Sequence, residues 1–261
     1  YLKLEVEQGC IFHFYKSLDG KTWQSVQNTP FKGKSLIRWD RVQRPGLLHY
    51  GDKDVPAEFS YFKMKNLKGT KTEANLMTAF AGESQARNRY TIAAGMAREK
   101  NLYVVQQVFL FTADQELTHA KQFYRQLADL SGQTIRADGT YPVDLYPDLL
   151  SHLRAAQHNE FQEWEHDYAH FAKTASEEGF PLVAKLFDSI AGIERIHGER
   201  FGRFADLLER EELFVSSVTC QWMCLNCGYV VESTMAPASC PVCHHPQGYF
   251  VRMEMVPFVT S

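Results

Sequence analysis

The sequence lacks any run of eighteen apolar residues, which excludes an ordinary transmembrane helix. Its first residues, 1–5, have neither the basic head nor the apolar middle of a signal peptide. A net charge of -3 gives no electrostatic reason to expect nucleic acid as a partner. We therefore expect a cytoplasmic protein with no membrane or nucleic-acid partner, and 44% hydrophobic with 23% charged residues is typical of a globular one.

Cysteine is scarce, and its few copies are unevenly placed. Four of the six cysteines form two C-x-x-C pairs, Cys224 with Cys227 and Cys240 with Cys243. In a reducing cytoplasm such pairs hold a metal more often than they form disulfides. Four thiolates suit a tetrahedral zinc or iron ion, and the spacing alone leaves the choice between these metals open.

Residues 1–63 alternate between apolar and polar side chains as β-strands do. Two alternating stretches, 11–15 and 22–26, flank Asp19-Gly20, which predicts a hairpin with a two-residue turn. Further turn signals at 28–30, 44–46 and 51–52 separate short apolar stretches. The sequence therefore predicts an all-β segment over residues 1–63.

From Met64 the apolar residues recur at helical spacing, which predicts a mainly α protein. Four helices are expected, at 72–99, 102–131, 147–176 and 180–210. The polar stretch between the second and third is long enough to cross a bundle, and one long crossover is the ferritin-like connectivity. We predict a four-helix bundle over residues 64–213. Residues 214–261 are too few to build a large core, so a metal is expected to stabilise this C-terminal knuckle.

Carboxylates and histidines recur at matched positions in the predicted bundle. The second and fourth helices each carry an E-x-x-H motif, whose two side chains share one helix face. Each motif is preceded by a carboxylate on the helix before it, and the two separations along the chain between carboxylate and motif are nearly equal. A single E-x-x-H motif usually lies on a solvated face, but these follow apolar stretches, where unpaired carboxylates are costly. The pattern predicts a di-metal site from Glu83, Glu116 with His119, Glu160, and Glu194 with His197.

Together these motifs resemble rubrerythrin over residues 64–251. Residues 82–90, GESQARNRY, look like the first-helix motif of that family, and the order of carboxylates, E-x-x-H pairs and cysteine knuckle is the family's. The resemblance implies that Glu163 is a further iron ligand, which sets the family apart from simpler ferritin-like sites. It also implies that Tyr90 and Tyr168 donate hydrogen bonds near the cluster, with ordinary aromatic packing as the alternative.

The resemblance further implies a function and its cofactors. These are two non-haem iron ions in the bundle and one iron held by the four cysteines as a rubredoxin-like one-electron centre. A homodimer would reduce hydrogen peroxide to water in oxidative-stress defence, with electrons from a redox donor protein such as a reductase. A ferroxidase or iron-handling protein of ferritin-like type is the alternative, because the same bundle can oxidise ferrous iron with oxygen.

Residues 1–63 depart from this family. Residues 14–23, with 44–47 and 59–62, resemble the closing strands of an accessory β-sandwich domain of a glycoside hydrolase. The resemblance implies a sandwich fragment or a fusion, because so short a piece has lost half of a sandwich core. A carbohydrate-binding module in this segment is the non-enzymatic alternative.

Overall fold

The computed structural model describes residues 2–7, 11–19, 21–26, 31–32 and 66–256. They fall into two compact units. No helix within these ranges is long and apolar enough to cross a membrane.

The described residues of the N-terminal unit form four short strands, which are β1 (Leu2–Glu7), β2 (Ile11–Lys16), β3 (Gln24–Ser25) and β4 (Phe31–Lys32). Strand β2 pairs antiparallel with each of the other three. The predicted strands and hairpin are confirmed here, whereas the stretches at 28–30, 44–47, 51–52 and 59–62 lie outside the described residues.

The predicted two-residue turn at Asp19-Gly20 is wrong. Pairing stops at Lys16 and Gln24, so the loop between the strands is longer. The Asp19 carboxylate accepts hydrogen bonds from the Ser17 hydroxyl at 2.9 Å and from the Lys21 and Thr22 N–H groups at 2.8 Å. The aspartate therefore organises a wider loop through its side chain, a competing use of Asp in turns.

The larger unit is built on four helical rods, as predicted. They are α1 (Lys71–Glu99), α2 (Tyr103–Gln126), α3 (Leu149–Gln162) continued by α4 (Tyr168–Glu177), and α5 (Pro181–Glu209). A π-helical turn, Glu163–Asp167, joins α3 to α4, so these two form one rod. The second rod ends earlier than predicted, since a 3₁₀ turn at Ala128–Leu130 follows α2.

Two caps fix the start of α1. Thr70 is the N-cap residue and accepts the N–H of Glu73 at 3.1 Å, a local pattern that is visible in the sequence. Glu178, at the far end of the third rod, accepts the N–H groups of Lys71 and Thr72 at 3.0 and 2.8 Å. Its negative charge also suits the positive end of the helix dipole.

The crossover, residues 131–148, runs as an exposed extended strap from the second rod to the third. Two clasps hold it to the bundle. Asp144 accepts hydrogen bonds from Arg89 and from Asn159, the second at 2.9 Å. The Tyr141 hydroxyl donates to the backbone oxygen of Thr78 at 3.0 Å.

The bundle core pairs small residues of α1 with large ones of its neighbours. Ala86, Ala93 and Ala97 are buried in the same cluster as Phe109 and Phe201, whose ring centroids lie 5.2 Å apart. Alanine on α1 leaves room for these rings, and buried aromatic area contributes strongly to stability.

The C-terminal knuckle is a three-stranded antiparallel sheet in the order β6–β5–β7, with β5 (Val215–Cys224), β6 (Val230–Met235) and β7 (Phe250–Arg252). Short 3₁₀ turns at Gln247–Tyr249 and Met253–Met255 flank β7. Val251, with the half-buried Met223 and Leu225, packs into the bundle core. The knuckle is therefore seated on the bundle of its own chain.

Candidate metal centres

The four rods bring six of the predicted side chains together in two overlapping groups. In each group the potential ligand atoms lie within 4.8 Å of one another. The groups are Glu83, Glu116, His119 and Glu194, and Glu116, Glu160, Glu194 and His197. Glu116 and Glu194 belong to both, so the two E-x-x-H glutamates occupy the shared positions between two metal sites.

The shared glutamates reach both imidazoles. Glu116 places Oε2 3.1 Å from His119 Nδ1 and Oε1 2.9 Å from His197 Nδ1. Glu194 does the same with Oε1 at 2.9 Å from His119 and Oε2 at 2.8 Å from His197. Each carboxylate thus offers one oxygen to either side, which is the geometry of a carboxylate bridging two metal ions. Glu83 and Glu160 each belong to one group and would be terminal ligands, one on each side.

These groups fit two iron ions. All six side chains are at most 6% exposed, yet several of their polar atoms, although close to one another, make no hydrogen bond of acceptable geometry within the part of the chain that the structure describes. They include both oxygens of Glu194, Oε1 of Glu116 and Nδ1 of His197. Buried polar atoms without partners are costly, and hard carboxylate oxygens with one imidazole on each side are suitable iron ligands.

A hydrogen-bond relay orients His197. The Gln115 oxygen lies 3.0 Å from His197 Nε2 and also accepts from the Arg200 guanidinium at 3.0 Å. Because guanidinium only donates, this Gln115 atom must be the amide oxygen, so Nε2 of His197 must carry a proton. The relay therefore turns Nδ1 towards the carboxylates and is a typical outer support of a metal-binding histidine.

Burial and like charge shift the ionisation of the cluster. Burial raises the pKa of the Glu83 carboxyl to about 8, although the contact with His119 opposes it. Burial alone would lower the pKa of His119, but its contacts with Glu116 and Glu83 prevail and raise that pKa to about 10. The cluster therefore retains protons that offset the charge of its carboxylates, and bound cations would take the place of those protons.

Two tyrosines hold the terminal glutamates. The Tyr90 hydroxyl donates to Glu160, and the Tyr168 hydroxyl donates to Glu83. Both phenols are buried, and burial raises the pKa of each well above its usual range, so they stay neutral donors. The hydrogen bonds expected from the sequence are therefore present.

Glu163 stands apart from both groups, since no group of ligand atoms within 4.8 Å includes it. It begins the π-helical turn and is half-buried. Burial, followed by the charges of Glu83 and Glu160, raises the pKa of its carboxyl well above the usual range. Glu163 is therefore close enough to the cluster for these charges to shift its pKa, but it belongs to neither group, so its role as a ligand stays a prediction.

The four cysteine sulfurs of the knuckle form a second candidate centre, with all Sγ atoms within 4.8 Å. Cys224 and Cys243 are 3.7 Å apart at sulfur, and Cys227 and Cys240 are 3.6 Å apart. A tetrahedron with metal–sulfur bonds of about 2.3 Å has sulfurs about 3.8 Å apart, whereas a disulfide bond is only about 2.0 Å long. The sulfurs are therefore spaced for one metal ion.

Backbone N–H groups support the thiolates. A backbone hydrogen bond from His245 lowers the pKa of the Cys243 thiol to about 5, which favours the thiolate form that binds metal. The chain therefore contains the residues for a di-iron site and for one cysteine-bound iron.

Sequence reasoning missed the relay residues Gln115 and Arg200 and the clasp between Arg89 and Asp144. Their partners lie on other rods or on the crossover, so no local spacing marks them. The only local signal was that Gln115 precedes the Glu116 of an E-x-x-H motif.

Comparisons with known proteins agree with both centres. A family model described as "Rubrerythrin" matches residues 74–205, and one described as "Rubrerythrin, rubredoxin-like domain" matches residues 222–251. The chain is 45% identical over 188 residues to a rubrerythrin of Clostridium perfringens, covering 72% of this chain and 96% of that protein.

Two proteins of Nitratidesulfovibrio vulgaris are also similar to this chain. Its rubrerythrin is 41% identical over 187 residues, covering 72% of this chain and 96% of that protein. Its nigerythrin is 28% identical over 183 residues, covering 69% of this chain and 85% of that protein. The resemblance of residues 1–63 to a glycoside hydrolase domain stays a prediction.

Proposed function

The chain belongs to the rubrerythrin family, and on that premise we propose that it is a non-haem di-iron peroxidase that reduces hydrogen peroxide to water. Membership makes it an iron protein of a family of oxidoreductases associated with oxidative stress. The observation that carries the proposal is that Glu116 and Glu194 each offer one oxygen to either imidazole side. Two ferrous ions held side by side in this way could each supply one of the two electrons that reduce a peroxide.

The reaction consumes one hydrogen peroxide, two protons and two electrons and yields two waters. Two ferrous ions, when bound, supply both electrons and the positive charge that stabilises hydroxide as the O–O bond breaks. The protein groups hold the positions. Tyr90 and Tyr168 orient the terminal glutamates, Gln115 orients His197, and the buried setting excludes bulk water.

We propose that the iron held by the four cysteines returns electrons one at a time, drawn from a redox donor protein. The knuckle sits at the end of the bundle where α2 begins, and the Tyr249 ring stacks on Tyr103 at 4.1 Å. From Tyr103 to Glu116, α2 rises about 20 Å. So long a gap supports a homodimer in which the knuckle of one copy serves the bundle site of the other.

Stopped-flow oxidation of the anaerobically reduced protein tests the proposal. We expect hydrogen peroxide to oxidise the protein faster than oxygen at equal concentration. Faster oxidation by oxygen would support the ferroxidase alternative instead. Metal analysis on the same sample should find iron in both centres, and zinc in the knuckle would remove the electron relay.

Electron transfer through the knuckle has its own test, with two cysteine variants as a matched pair. We expect Cys224→Ser to lose the thiolate-to-iron absorption and steady turnover, while one oxidation of the reduced protein by peroxide remains. Cys220 lies outside the four-sulfur group, so Cys220→Ser should keep both. Steady turnover by Cys224→Ser at the wild-type rate would show that electrons bypass the knuckle.

A further inference from the structure

Glu163 is more exposed than the rest of the predicted bundle ligands. The six side chains of the two groups are at most 6% exposed, whereas Glu163 is half-buried. Among the predicted ligands, the protein surface therefore reaches furthest inward at Glu163. A small molecule that enters the site has its shortest way in beside this carboxylate.

A pocket of about 280 Å³ lies at that point. Its inner wall includes Gly82, Glu163 and Tyr168, and Tyr168 is the donor to Glu83. Its outer wall is the crossover at residues 138–142, and amide side chains such as Gln85 and Asn159 line the sides. A mixed lining of amides, carboxylate and phenol suits a small polar molecule rather than an apolar one.

Two side chains of the pocket lining flank the backbone of Gly82. A Cβ atom built on Gly82 would lie 3.7 Å from the Tyr141 ring and 4.0 Å from Glu163 Oε1, so the ring and the carboxylate flank one backbone position. The Tyr141 hydroxyl donates to the Thr78 backbone oxygen, which holds the ring in place. We call the space over Gly82 between Tyr141 and Glu163 the constriction; glycine leaves this space open, since an added methyl group would contact both side chains.

We propose that this pocket is the entry route for hydroperoxides and that Tyr141 is a specificity-determining residue, which admits hydrogen peroxide and excludes bulkier hydroperoxides. The proposal rests on the peroxidase function proposed above. The pocket volume corresponds to about nine waters at roughly 30 Å³ each, so it could hold a larger molecule. Selection by size must therefore arise at the constriction, not from the volume of the whole pocket.

Azide binding to the oxidised, iron-loaded protein tests the route without any turnover, because its absorption band reports entry and exit. We expect Gly82→Ala, which adds one methyl group at the constriction, to slow association and dissociation together by about tenfold and leave Kd unchanged. The matched control is Gly95→Ala on the same helix, where the added methyl group meets open space and both rates should stay at the wild-type value.

A narrower entry route slows azide association and dissociation by the same factor, whereas a disturbed metal site changes the Kd of azide. Unchanged rates in Gly82→Ala, or a changed Kd with an unchanged association rate, would overturn the proposed route. Because azide is not reduced, this result stands whether or not the protein turns over peroxide. Failure of the peroxidase function and failure of the route are therefore distinguishable.

The selectivity is tested with two oxidants on the reduced protein. We expect Tyr141→Ala to raise the oxidation rate constant for cumene hydroperoxide about tenfold, while that for hydrogen peroxide changes less than about threefold. The control is Val143→Ala, because Val143 lies on the same crossover, is 81% exposed and does not line the pocket. Equal changes for both oxidants in Tyr141→Ala would overturn the assignment of specificity to this residue.

Discussion

Tyr168 donates a hydrogen bond from its hydroxyl to Glu83. It lies eight residues after Glu160, whereas the equivalent tyrosine on α1 lies only seven residues after its own glutamate. That equivalent is Tyr90, which follows Glu83 on α1 and donates to Glu160. The two pairs are reciprocal across the site, so the extra residue must be absorbed somewhere. In a regular α-helix one extra residue turns a side chain by about 100°.

The π-helical turn Glu163–Asp167 absorbs that residue. The Tyr168 N–H bonds to the Glu163 carbonyl five residues back, which is the π pattern. The turn therefore returns Tyr168 to the face of Glu160 and gives Glu163 its half-buried place beside the cluster. A single local irregularity restores the two-fold likeness of the site.

Changes of length in the π-helical turn should therefore have opposite outcomes. We expect deletion of the exposed His166 to give a regular α-helix that keeps Tyr168 on Glu83, with iron content close to wild type. Inserting an alanine after His166 turns α4 by about 100° and should lower the free energy of unfolding by about 3 kcal/mol or more. Iron analysis and denaturant unfolding measure both effects. Equal damage from the two variants would contradict this view of the turn.

The relay behind His197 gives a second prediction. Gln115→Leu removes the acceptor of His197 Nε2 and of Arg200, and we expect metal affinity at the His197 side to fall about 10- to 100-fold. Titration of the apoprotein with cobalt measures it, and the His119 side should still fill. Gln107→Leu on the exposed face of α2 is the control and should bind two ions normally. Two unchanged affinities in Gln115→Leu would mean that the relay does not orient the ligand.

Local spacing explains what the sequence predicted well. Thr70 with Glu73, and Glu116 with His119, are separated by three residues on one helix, so their relation survives any tertiary arrangement. The four rods and the six buried side chains of the two groups followed from such patterns. Glu163 also lies three residues after its neighbour Glu160, yet it belongs to neither group. It begins the π-helical turn, and no helix-interrupting residue marks that turn in the sequence.

Beyond the convergence of the six side chains, contacts between rods could not be predicted from the sequence. Whether Glu116 or Glu83 bridges two metal ions depends on how each helix is rotated about its axis, and periodicity alone does not specify that rotation. Likewise, Glu178 caps α1 across the bundle, a contact between distant residues. The loop at Asp19 was predicted wrongly because the side chain of an aspartate competes with the tight turn that Asp-Gly also favours.

The cap made by Glu178 predicts a dependence of stability on pH. Burial works to raise the pKa of this carboxyl, but hydrogen bonds from Thr72 and Lys71 outweigh it and hold the pKa below its usual value. A lowered folded-state pKa stabilises the protein above the unfolded value of about 4.3, and this contribution is lost as the pH falls through the folded pKa. The ionised cap should therefore contribute at neutral pH and disappear in acid.

Glu178→Gln tests the sign of this effect. We expect it to lower the free energy of unfolding by about 1 kcal/mol at pH 7 and to approach the wild type as the pH falls below about 4. Denaturant unfolding at several pH values measures the difference. Glu177→Gln changes the exposed neighbour and should show no such convergence. A constant difference across the whole pH range would contradict the role of charge in the cap.

The seat of the knuckle on the bundle depends on Gly248. A Cβ atom at this position would lie 1.8 Å from the backbone oxygen of Asn101, and backbone cannot give way as a flexible side chain can. Asn101 itself is held at a φ of 57°, directly after the C-cap of α1. The glycine therefore allows the close approach that also brings Tyr249 onto Tyr103.

Gly248→Ala should force the knuckle off this seat. We expect a loss of about 1–3 kcal/mol in the free energy of unfolding, while the thiolate-to-iron absorption remains because the four cysteines are untouched. Gly95→Ala is the matched control, since its methyl group meets open space in a helix interior and should stabilise the protein by about 0.5–1 kcal/mol. Denaturant unfolding followed by far-UV circular dichroism, with the visible spectrum of the native protein, measures both. If Gly248→Ala matched the control in stability, the knuckle would have another way to dock, and the long path from Tyr103 to Glu116 would no longer argue for electron transfer between copies.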